Sequence, residues 1–426
     1  MKRKVAFKTL GCRLNQFETD AVVTDFFRSG YETVPFTNKA DVYVINTCTI
    51  TNQGDHKSKT AINQAVRNAA GGLVVVTGCM AENQGNYLKE RGDISYVVDN
   101  KHKSRILSLV EAHFNGEIIA PDQLESDVFS FSVTEKSLHT RSMIKIQDGC
   151  DNFCSFCIVP MVRGRAVSRP VSKIIENIHE VIRLGYKEIV LTGVNISRYD
   201  DEGVDFTGLL EKILNVSGDF RVRISSLEPE GFGTAFFDLF SNPKLCPNLH
   251  LCLQSGSDRM LAEMRRTYQL ASYLKIVEEL RRRIPLFNFT TDIMVGFPGE
   301  TEADFRETCH VIKQAGFSHV HTFKYSARKG TRAELMPNHI PESVKQERSL
   351  VVRELAAENK RAYRKSFIGR QQTVLVEKVN KNGMAHGYGE HYVPVEFKAT
   401  QQGNNYFKTV TIKSIATEAY DFILQS

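Results

Sequence analysis

The sequence predicts an α/β protein of three units: an N-terminal doubly wound parallel-sheet domain, a central partial (β/α)6 barrel and a small C-terminal antiparallel β-barrel. Up to residue 131, a short β-rich run followed by a helical stretch occurs three times. Six further strand-like runs alternate with amphipathic segments, and the last block consists of short alternating strands broken by Gly and Asn. The predicted domains are 1–131, 132–365 and 366–426, and 426 residues suffice for more than one core.

Each of the three N-terminal β-rich runs ends in a cysteine. The runs are KVAFKTLGC, DVYVINTC and GLVVVTGC, and helix-like segments at 18–29 and 57–69 lie between them. Because the carboxyl ends of parallel strands meet at one edge of an open sheet, we expect Cys12, Cys48 and Cys79 to converge. One such cysteine is more often a small residue in a turn, but three in equivalent positions favour a set of metal ligands.

The central block follows a polar interval at 120–140, which is interpreted as a linker or a hairpin. Its strand-like runs are SMIKIQDGC, EIVLTGVN, VRISSLEP, LHLCLQSGS, TTDIMVGFPGE and HVHTFKYSARKGT. Amphipathic segments at 171–184, 271–283 and 302–315 fall between these runs. Six β-α units predict a partial barrel, and sites in such barrels lie at the carboxyl ends of the strands.

Directly after the first of these strands, the loop GCDNFCSFC carries Cys150, Cys154 and Cys157 at spacings of four and three. A structural zinc site is usually closed by four protein ligands, so three thiolates leave one coordination position open. This arrangement suits three irons of a [4Fe-4S] cluster whose fourth iron stays free. The alternative is a zinc loop with a distant fourth ligand, which is disfavoured because no further Cys or His lies nearby in the sequence.

The part of the chain after the barrel contains several basic and aromatic residues. Residues 341–365 predict a helix with seven Lys/Arg and four Glu, which is either a solvated face or an RNA contact. In the last block, Tyr388, Tyr392 and Phe407 either stack on nucleic acid, as in other small barrels, or fill the core. The formal charge of +6 is weak support for an acidic partner such as RNA.

The composition predicts a cytoplasmic protein with no membrane partner. The basic start has an apolar run that stops at Lys8, which is too short for a signal peptide. No apolar run approaches the roughly 20 residues that span a bilayer. Nine cysteines in such a compartment indicate reduced thiols and metal ligation rather than disulfides.

The three-cysteine loop resembles that of the radical S-adenosylmethionine superfamily. In that superfamily the free iron binds the amino and carboxylate groups of S-adenosylmethionine, and the reduced cluster cleaves this cofactor to a 5'-deoxyadenosyl radical. The stretches TLGCRLNQFETD, NTCTITNQGDHKSK, TGCMAE and IQDGCDNFCSFCIVPMVRGRAVSRP together resemble the methylthiotransferase family, whose terminal barrel is called TRAM. The resemblance implies two [4Fe-4S] clusters: an auxiliary cluster that carries the sulfur to be inserted, on Cys12, Cys48 and Cys79, and the radical-generating cluster, on Cys150, Cys154 and Cys157.

The same resemblance implies a set of residues that surround S-adenosylmethionine at the strand ends of the barrel. They are Gly193, Val194, Asn195, Ser225, Glu228, Gln254, Ser255, Arg265 and Asp292. Within this set, Arg265 is expected to pair with the cofactor carboxylate and Asp292 to meet its polar end. Met161 stands where relatives often have an aromatic residue, which leaves a substrate-side or packing contact open. Three further cysteines match no cluster motif and are interpreted as structural: Cys246, Cys252 and Cys309.

Within the family, GCRLNQFETD is most similar to the bacterial enzymes that thiomethylate N6-threonylcarbamoyladenosine at position 37 of tRNA. The predicted function is conversion of that nucleoside to its 2-methylthio form with two equivalents of S-adenosylmethionine. The predicted partners are the tRNA anticodon stem-loop and an electron donor of the flavodoxin or ferredoxin type. The alternatives are a methylthiotransferase for isopentenyladenosine or a ribosomal-protein aspartate, and a non-catalytic zinc-containing RNA-binding protein.

Overall fold

The structure, a computed structural model, describes residues 2–69, 71–132, 140–416 and 424–425. The N-terminal strands are β1 (Lys4–Thr9), β2 (Glu32–Thr33), β3 (Val42–Thr47), β4 (Leu73–Gly78) and β5 (Tyr96–Val98). The helices that accompany them are α1 (Arg13–Arg28), α2 (Asn52–Ala69), α3 (Cys79–Asn83), α4 (Gly85–Glu90) and α5 (Ile106–Phe114). All five strands are parallel, in the order β2-β1-β3-β4-β5.

Helices cover both faces of this sheet. Val42 and Val44 of β3 belong to a core shared with α1 and α5, whereas Tyr43 and Ile45 belong to a second core shared with α2. Successive side chains of a strand point to opposite faces, so a continuous apolar run is required when both faces are buried. The prediction of a doubly wound parallel sheet is therefore confirmed.

Helix α1 begins at Arg13, earlier than the helical segment predicted at 18–29. Its first turns carry Asn15 and Glu18, which are polar and nevertheless buried. Both side chains bond to Arg163 of the barrel domain rather than to solvent. The apolar periodicity that identifies a surface helix is consequently missing from the start of α1.

The central domain contains eleven strands and eight helices among its described residues. Its strands are β6 (Ser142–Lys145), β7 (Gln147–Asp148), β8 (Val167–Ser168), β9 (Glu188–Thr192), β10 (Asp200–Asp201), β11 (Val204–Asp205), β12 (Arg221–Ile224), β13 (Ser226–Leu227), β14 (Asn248–Leu251), β15 (Asn288–Val295) and β16 (His319–Lys324). Its helices are α6 (Val159–Arg163), α7 (Val171–Arg183), α8 (Phe206–Leu214), α9 (Thr234–Asp238), α10 (Asp258–Glu263), α11 (Leu270–Arg283), α12 (Glu302–Ala315) and α13 (Glu342–Lys365).

Six parallel strand positions form the barrel. One sheet has the order β12-β9-β6, the next has the order β13-β14-β15-β16, and Ser225 alone separates β12 from β13. The strands thus follow one another in sequence order, and their apolar side chains pack under the flanking helices in one large core. The prediction of a partial (β/α)6 barrel is confirmed.

Helix α12 occupies the predicted segment, 302–315, because its boundaries are encoded locally. The Thr301 side chain accepts a hydrogen bond from the N–H of Asp304, and the Asp304 side chain accepts one from the N–H of Thr301. These two hydrogen bonds form a capping box. Gly316 ends the helix in the left-handed conformation, with φ of 57°. Among the helices of the described segments, none is both long enough and apolar enough to cross a membrane.

The C-terminal strands are β17 (Gln371–Val379), β18 (Met384–Tyr388), β19 (Pro394–Lys398), β20 (Tyr406–Thr411), β21 (Ser414–Ile415) and β22 (Leu424–Gln425). They form one sheet of order β20-β17-β18-β19-β22-β21, antiparallel except between β19 and β22. Side chains of this sheet enclose a core with Phe367, Val395 and Phe397, as a small barrel does. The predicted antiparallel β unit is confirmed, while part of its last predicted strand, 417–423, lies outside the described residues.

Buried arginines attach this C-terminal sheet to the barrel. Arg221 donates to the carbonyl oxygen of Thr373 at 2.7 Å, and Arg223 donates to that of Gly389 at 2.7 Å. Glu188, which is fully buried at the start of β9, accepts hydrogen bonds from both guanidinium groups. The C-terminal sheet therefore covers the end of the barrel at which the barrel strands begin.

The polar interval between the first two domains is anchored at its start. Residues 121–123 form a turn of 3-10 helix, and Phe131 is buried against Phe17 with ring centroids 5.6 Å apart. Residues 133–139 lie outside the described residues, so the choice between a linker and a hairpin stays open for that part.

Candidate active site

Cys12, Cys48 and Cys79 lie at the carboxyl ends of β1, β3 and β4, which are adjacent strands of the N-terminal sheet. The chain reverses its winding direction between β1 and β3, and open α/β sheets have their ligand crevice at such a point. Cys12 directly precedes α1, and Cys79 is the first residue of α3. The structure brings these three cysteines together at one edge of the sheet.

Two glycines permit the close approach of the cysteine-bearing loops. Gly11 has a φ of +97°, and a Cβ at this position would lie 3.0 Å from the Sγ of Cys48. Gly78 has a φ of +93°, and a Cβ there would overlap the carbonyl oxygen of Thr47. A glycine before the cysteine is therefore a steric requirement of the first and third repeats.

Burial favours the protonated thiols of Cys48 and Cys79 when no metal is bound. It raises the pKa of Cys48 to about 11, and the neighbouring Cys79 and Cys12 add to the rise. Burial also raises the pKa of Cys79, although Arg163 and Lys103 act in the opposite direction. Metal binding at Cys48 and Cys79 consequently releases protons.

The second cysteine set lies on the loop between β7 and α6. Gly149 begins the loop with a φ of +68°, where a Cβ would overlap neighbouring backbone. Cys150 N–H donates to the carbonyl oxygen of Gly164 at 3.1 Å, and Cys157 N–H donates to that of Cys154 at 3.0 Å. Burial raises the pKa of Cys157 to about 12, and the proximity of Cys154 and Cys150 raises it further. The three thiols are thus close to one another.

The spacing of the sulfurs distinguishes a cluster site from a single-ion site. Four ligands at about 2.3 Å from a tetrahedral zinc ion lie only about 3.8 Å apart. Within the described part of the chain, the one His/Cys/Asp/Glu group whose ligand atoms all lie within 4.8 Å of one another is His250, Cys252 and Asp292. Neither cysteine set meets this spacing, so neither is a preformed single-ion cage among the described residues.

Side chains from two further loops contact the sulfurs of the second set. The Asn195 amide Nδ2 donates to the Cys150 Sγ at 3.7 Å, and the Arg266 Nη1 donates to the Cys154 Sγ at 3.0 Å. Groups that bond to metal ligands orient those ligands and adjust the electronic properties of the metal. These two residues are placed to do so for this loop.

The structure places Arg265, which was predicted to pair with the cofactor carboxylate, outside the site and its neighbour Arg266 inside it. Arg265 is exposed and has a left-handed backbone with φ of 56°. It ends α10, because the N–H groups of Arg265 and Arg266 donate to the carbonyl oxygens of Ala262 and Leu261. This turn directs Arg266 into the site, where it contacts the cysteine loop and Glu228. Two adjacent arginines cannot be told apart by local sequence, since the turn decides which one faces inward.

Substitution of the two arginines separates these assignments. We expect Arg266→Met to lower reductive cleavage of S-adenosylmethionine by about tenfold or more, because it removes a charged hydrogen bond to Cys154 and leaves Glu228 unpaired. Arg265→Met is the matched control and is expected to stay within about twofold of the unsubstituted protein. The measurement is 5'-deoxyadenosine formation with iron content determined in parallel. Equal losses in both variants would contradict the assignment to Arg266.

The predicted segment Gly193, Val194 and Asn195 bends directly after β9. The buried amide of Gln147, which sequence reasoning missed, accepts hydrogen bonds from the N–H groups of Val194 and Asn195 at 3.0 and 2.7 Å. Gly193 has no room for a side chain, since a Cβ would lie 2.6 Å from the Cγ2 of Ile196. The Val194 side chain packs on the N-terminal core instead of facing the barrel interior. The position of Gln147 just before the cysteine loop was the one sequence signal for its role.

Two predicted cofactor residues present unsatisfied polar atoms. The Asn195 Oδ1 and the Ser225 Oγ are buried and have no hydrogen-bond partner among the described residues. A buried polar atom without a partner is costly, and a bound polar ligand removes that cost. Both residues lie at carboxyl ends of barrel strands, so the protein fits a polar cofactor here.

The other predicted cofactor residues divide into two groups. Gln254 has a left-handed backbone with φ of 68°, a strained conformation of the kind found at ligand sites. Asp292 lies 3.3 Å from His250 and borders the barrel cavity. Ser255, by contrast, is fully buried and bonds to Thr308 of α12, so its hydroxyl supports the fold rather than the cavity.

The other residues named in the sequence analysis are Met161 and the three cysteines outside the two sets. Met161 is exposed and lies against Gly330 of a neighbouring loop, which makes a packing contact. Cys246 and Cys252 are buried, and Cys309 packs against the barrel core. Cys252 also belongs to the group with His250 and Asp292 described above.

The two cysteine sets meet through α6. Cys79 packs on Ile158 and Val162, which directly follow the second set in the sequence. The amide of Asn100, from the N-terminal domain, donates to the carbonyl oxygen of Val162 at 2.7 Å. The relative position of the sets therefore depends on direct packing between the two domains.

One cavity of about 750 Å³ borders all three domains. Its walls include Cys12 of the N-terminal domain, Gly193, Ser225 and Asp292 at the barrel strands, and Tyr392 of the C-terminal sheet. The Tyr392 ring stacks on a neighbouring tyrosine with centroids 4.8 Å apart. A volume of this size is typical of small-molecule sites, and Arg223 lies 4.8 Å from the Tyr392 ring centroid on the barrel side.

Comparisons with known proteins agree with this arrangement. The model described as uncharacterized protein family UPF0004 matches residues 4–99, and that of the radical SAM superfamily matches residues 144–312. A solved radical S-adenosylmethionine methyltransferase, TsrM from Kitasatospora setae, shares the fold with a TM-score of 0.57 and 15% identity, covering 79% of this chain and 77% of that one.

Relatives with higher identity span nearly the whole chain. The threonylcarbamoyladenosine tRNA methylthiotransferase MtaB of Thermotoga maritima is 36% identical, covering 98% of this chain and 96% of that protein. The Bacillus subtilis protein of the same name is 36% identical, with 93% and 91% covered. A tRNA-2-methylthio-N(6)-dimethylallyladenosine synthase of Fusobacterium nucleatum is 37% identical, with 89% of each covered.

The barrel, its three-cysteine loop and the matching superfamily model define a radical S-adenosylmethionine enzyme. Its cofactors are therefore S-adenosylmethionine and an iron–sulfur cluster. The extent and identity of the matches place the chain more narrowly: it belongs to the tRNA methylthiotransferase family.

Proposed function

We propose that this protein inserts a methylthio group at C2 of N6-threonylcarbamoyladenosine at position 37 of tRNA. The observation that carries the proposal is the shared cavity bordered by Cys12, by the barrel strand ends and by Tyr392. A base in that cavity is next to the first cysteine set and to the residues predicted to hold the cofactor. Relatives named for threonylcarbamoyladenosine, at 36–37% identity over 89–98% of this chain, favour this nucleoside.

We assign one [4Fe-4S] cluster to each cysteine set. Cys150, Cys154 and Cys157 would hold the cluster that binds S-adenosylmethionine, and the set at Cys12, Cys48 and Cys79 would hold the auxiliary cluster. Together the bound groups supply radical chemistry, which an unactivated C–H bond requires because no side chain acts on it readily as a base. Neither set is a preformed single-ion cage, which is consistent with clusters rather than single zinc ions.

The residues of the chain position the reactants and exclude water. Gln147 fixes the turn that carries Asn195, and Asn195 and Arg266 hold the cluster loop through Cys150 and Cys154. The unsatisfied Asn195 Oδ1 and Ser225 Oγ are assigned to polar atoms of the cofactor. Val194 and Ser255 are assigned structural roles because their side chains face away from the cavity.

We assign the auxiliary cluster to domain 1–131 and S-adenosylmethionine to domain 132–365. Domain 366–426 is assigned an RNA-binding role, as in a TRAM domain. Tyr388 and Tyr392 border the cavity, whereas Phe407 lies under Arg221, 5.0 Å from ring centroid to guanidinium. Arg141 lies 4.8 Å from the Tyr388 ring centroid and Arg223 lies 4.8 Å from that of Tyr392, so these rings, like Phe407, pack against arginines and are assigned to the wall of the cavity. The proposed RNA element is the anticodon stem-loop, with an electron donor of the flavodoxin or ferredoxin type and a cytoplasmic location.

Nucleoside mass spectrometry of total tRNA tests the substrate. In cells that lack this protein, we expect 2-methylthio-N6-threonylcarbamoyladenosine to disappear and its precursor to accumulate. A plasmid copy of the gene should restore the product, and a Cys154→Ala copy should not. Loss of the methylthio dimethylallyl nucleoside instead would assign the protein to the alternative substrate. An unchanged profile in a cell without a second such enzyme would contradict both assignments.

A further inference from the structure

We propose that Arg13 forms a carboxylate-binding subsite of the cavity, which receives the carboxylate on the N6 substituent of the substrate base. This inference rests on the proposed function and adds the residue that recognises the threonylcarbamoyl group. Arg13 is exposed, borders the cavity and follows Cys12 directly in the chain.

The cavity has a positive lining on this side. Arg13, Lys360 and Arg364 border it, and Asp292 is the only carboxylate among the described residues that do so. Burial lowers the pKa of His321, His250 and Arg13 lower it further, and Asp292 acts in the opposite direction. An anionic ligand therefore matches this part of the cavity, and a neutral apolar ligand does not.

Arg13 is an exposed cation of this lining. Among the described residues it forms no ion pair with a carboxylate, and its guanidinium makes only a long hydrogen bond of 3.4 Å to the Tyr392 hydroxyl. The ring of Tyr392 lies 5.8 Å from the guanidinium carbon. The planar fork of an arginine matches a carboxylate with two parallel hydrogen bonds.

The chemistry of adenine explains why the subsite adjoins Cys12. The exocyclic N6 and the carbon C2 lie on the same edge of the base, separated by N1. A group that delivers sulfur to C2 and a group that binds the N6 substituent must therefore stand side by side. Adjacent residues of a chain have Cα atoms about 3.8 Å apart, and Cys12 and Arg13 meet this requirement.

The test compares RNA with and without the negative charge. The substrates are an anticodon stem-loop that carries N6-threonylcarbamoyladenosine and the same stem-loop with that carboxylate as a methyl ester. Binding affinity and turnover are measured for the reconstituted protein and for Arg13→Met. We expect the original protein to prefer the acid by about 10- to 100-fold, the usual effect of a charged hydrogen bond, and Arg13→Met to lose this preference. Arg13→Lys should keep part of it.

Two controls separate other roles of Arg13. Tyr392→Phe removes the hydrogen bond between Arg13 and the Tyr392 hydroxyl and should keep the preference for the acid. Arg306→Met, on the exposed face of α12, should change neither binding affinity nor turnover. If Arg13→Met weakens acid and ester equally, Arg13 binds RNA phosphate or supports the fold, and the subsite is refuted. If the original protein does not act on the threonylcarbamoyl stem-loop at all, the proposed function fails and the subsite fails with it.

Discussion

Replacement of Cys154 by alanine is expected to abolish 5'-deoxyadenosine formation, whereas Cys48→Ala is expected to retain part of it and lose all methylthiolation. The reason is that the two residues belong to separate cysteine sets on separate domains. Cys154 lies on the loop after β7, next to Arg266, and Cys48 lies at the end of β3. Loss of one cluster therefore leaves the ligands of the other in place.

Iron analysis makes this comparison quantitative. Anaerobically reconstituted protein should contain about eight irons if both sites hold [4Fe-4S] clusters, and each single variant should contain about four. Cys309→Ala is the matched control, because Cys309 packs against the barrel core and belongs to neither set, so it should keep about eight. A folded Cys48→Ala protein that still makes methylthiolated tRNA at the normal rate would show that Cys48 is not an essential ligand. Colourless protein with stoichiometric zinc would remove the basis of the enzyme assignment.

Glu18→Gln is expected to lower the free energy of unfolding by about 3–5 kcal/mol, the usual cost of removing one partner from a buried ion-pair network. Glu18 is fully buried and accepts hydrogen bonds from Arg163 and Lys145, each at 3.0 Å, and from Lys103. Asp148 is the other carboxylate of the network. The substitution keeps the shape of the side chain but leaves three buried cations opposite one anion.

The effect concerns the contact between the first two domains. Glu18 and Lys103 come from the N-terminal domain, whereas Lys145 and Arg163 come from the barrel. Denaturant titration of the metal-free protein measures the change, and Glu176→Gln is the control. Glu176 is exposed and pairs with an equally exposed lysine, so its loss should cost less than about 1 kcal/mol. A cost that small for Glu18→Gln would contradict the importance of this network.

The network also predicts the direction of a pH dependence. Burial alone would raise the pKa of Glu18, but Arg163, Lys103 and Lys145 hold it well below its usual value of 4.5. The unfolded chain therefore takes up a proton at higher pH than the folded protein does. The contribution of Glu18 to stability is complete above about pH 4.5 and declines as the pH falls toward the folded pKa. In Glu18→Gln this part of the acid dependence should be absent.

The stretch GCRLNQFETD illustrates how far sequence reasoning reaches. It identified the family, but it did not reveal that its residues have different roles. Asn15 and Glu18 hold the barrel through Arg163, Cys12 borders the cavity, and Arg13 faces that cavity. The direction of each side chain depends on how α1 packs against the barrel, which lies more than a hundred residues away in the chain.

Features that depend on neighbouring residues were predictable from the sequence. The three strands that end in Cys12, Cys48 and Cys79 were recognised by repeated local patterns, as were the six barrel strands and the boundaries of α12. The reason is that strand alternation, helix capping and ligand spacing on one loop act over a few residues. The fold class and the two cysteine sets therefore followed from the sequence.

Features that depend on contacts between distant segments required the three-dimensional structure. The choice of Arg266 over Arg265 depends on a left-handed turn, and the role of Gln147 depends on the loop after β9. The shared cavity has a C-terminal wall because the C-terminal sheet closes over the barrel through Arg221 and Arg223. Such contacts join residues that are tens to hundreds of positions apart, and no local pattern encodes which of them will meet.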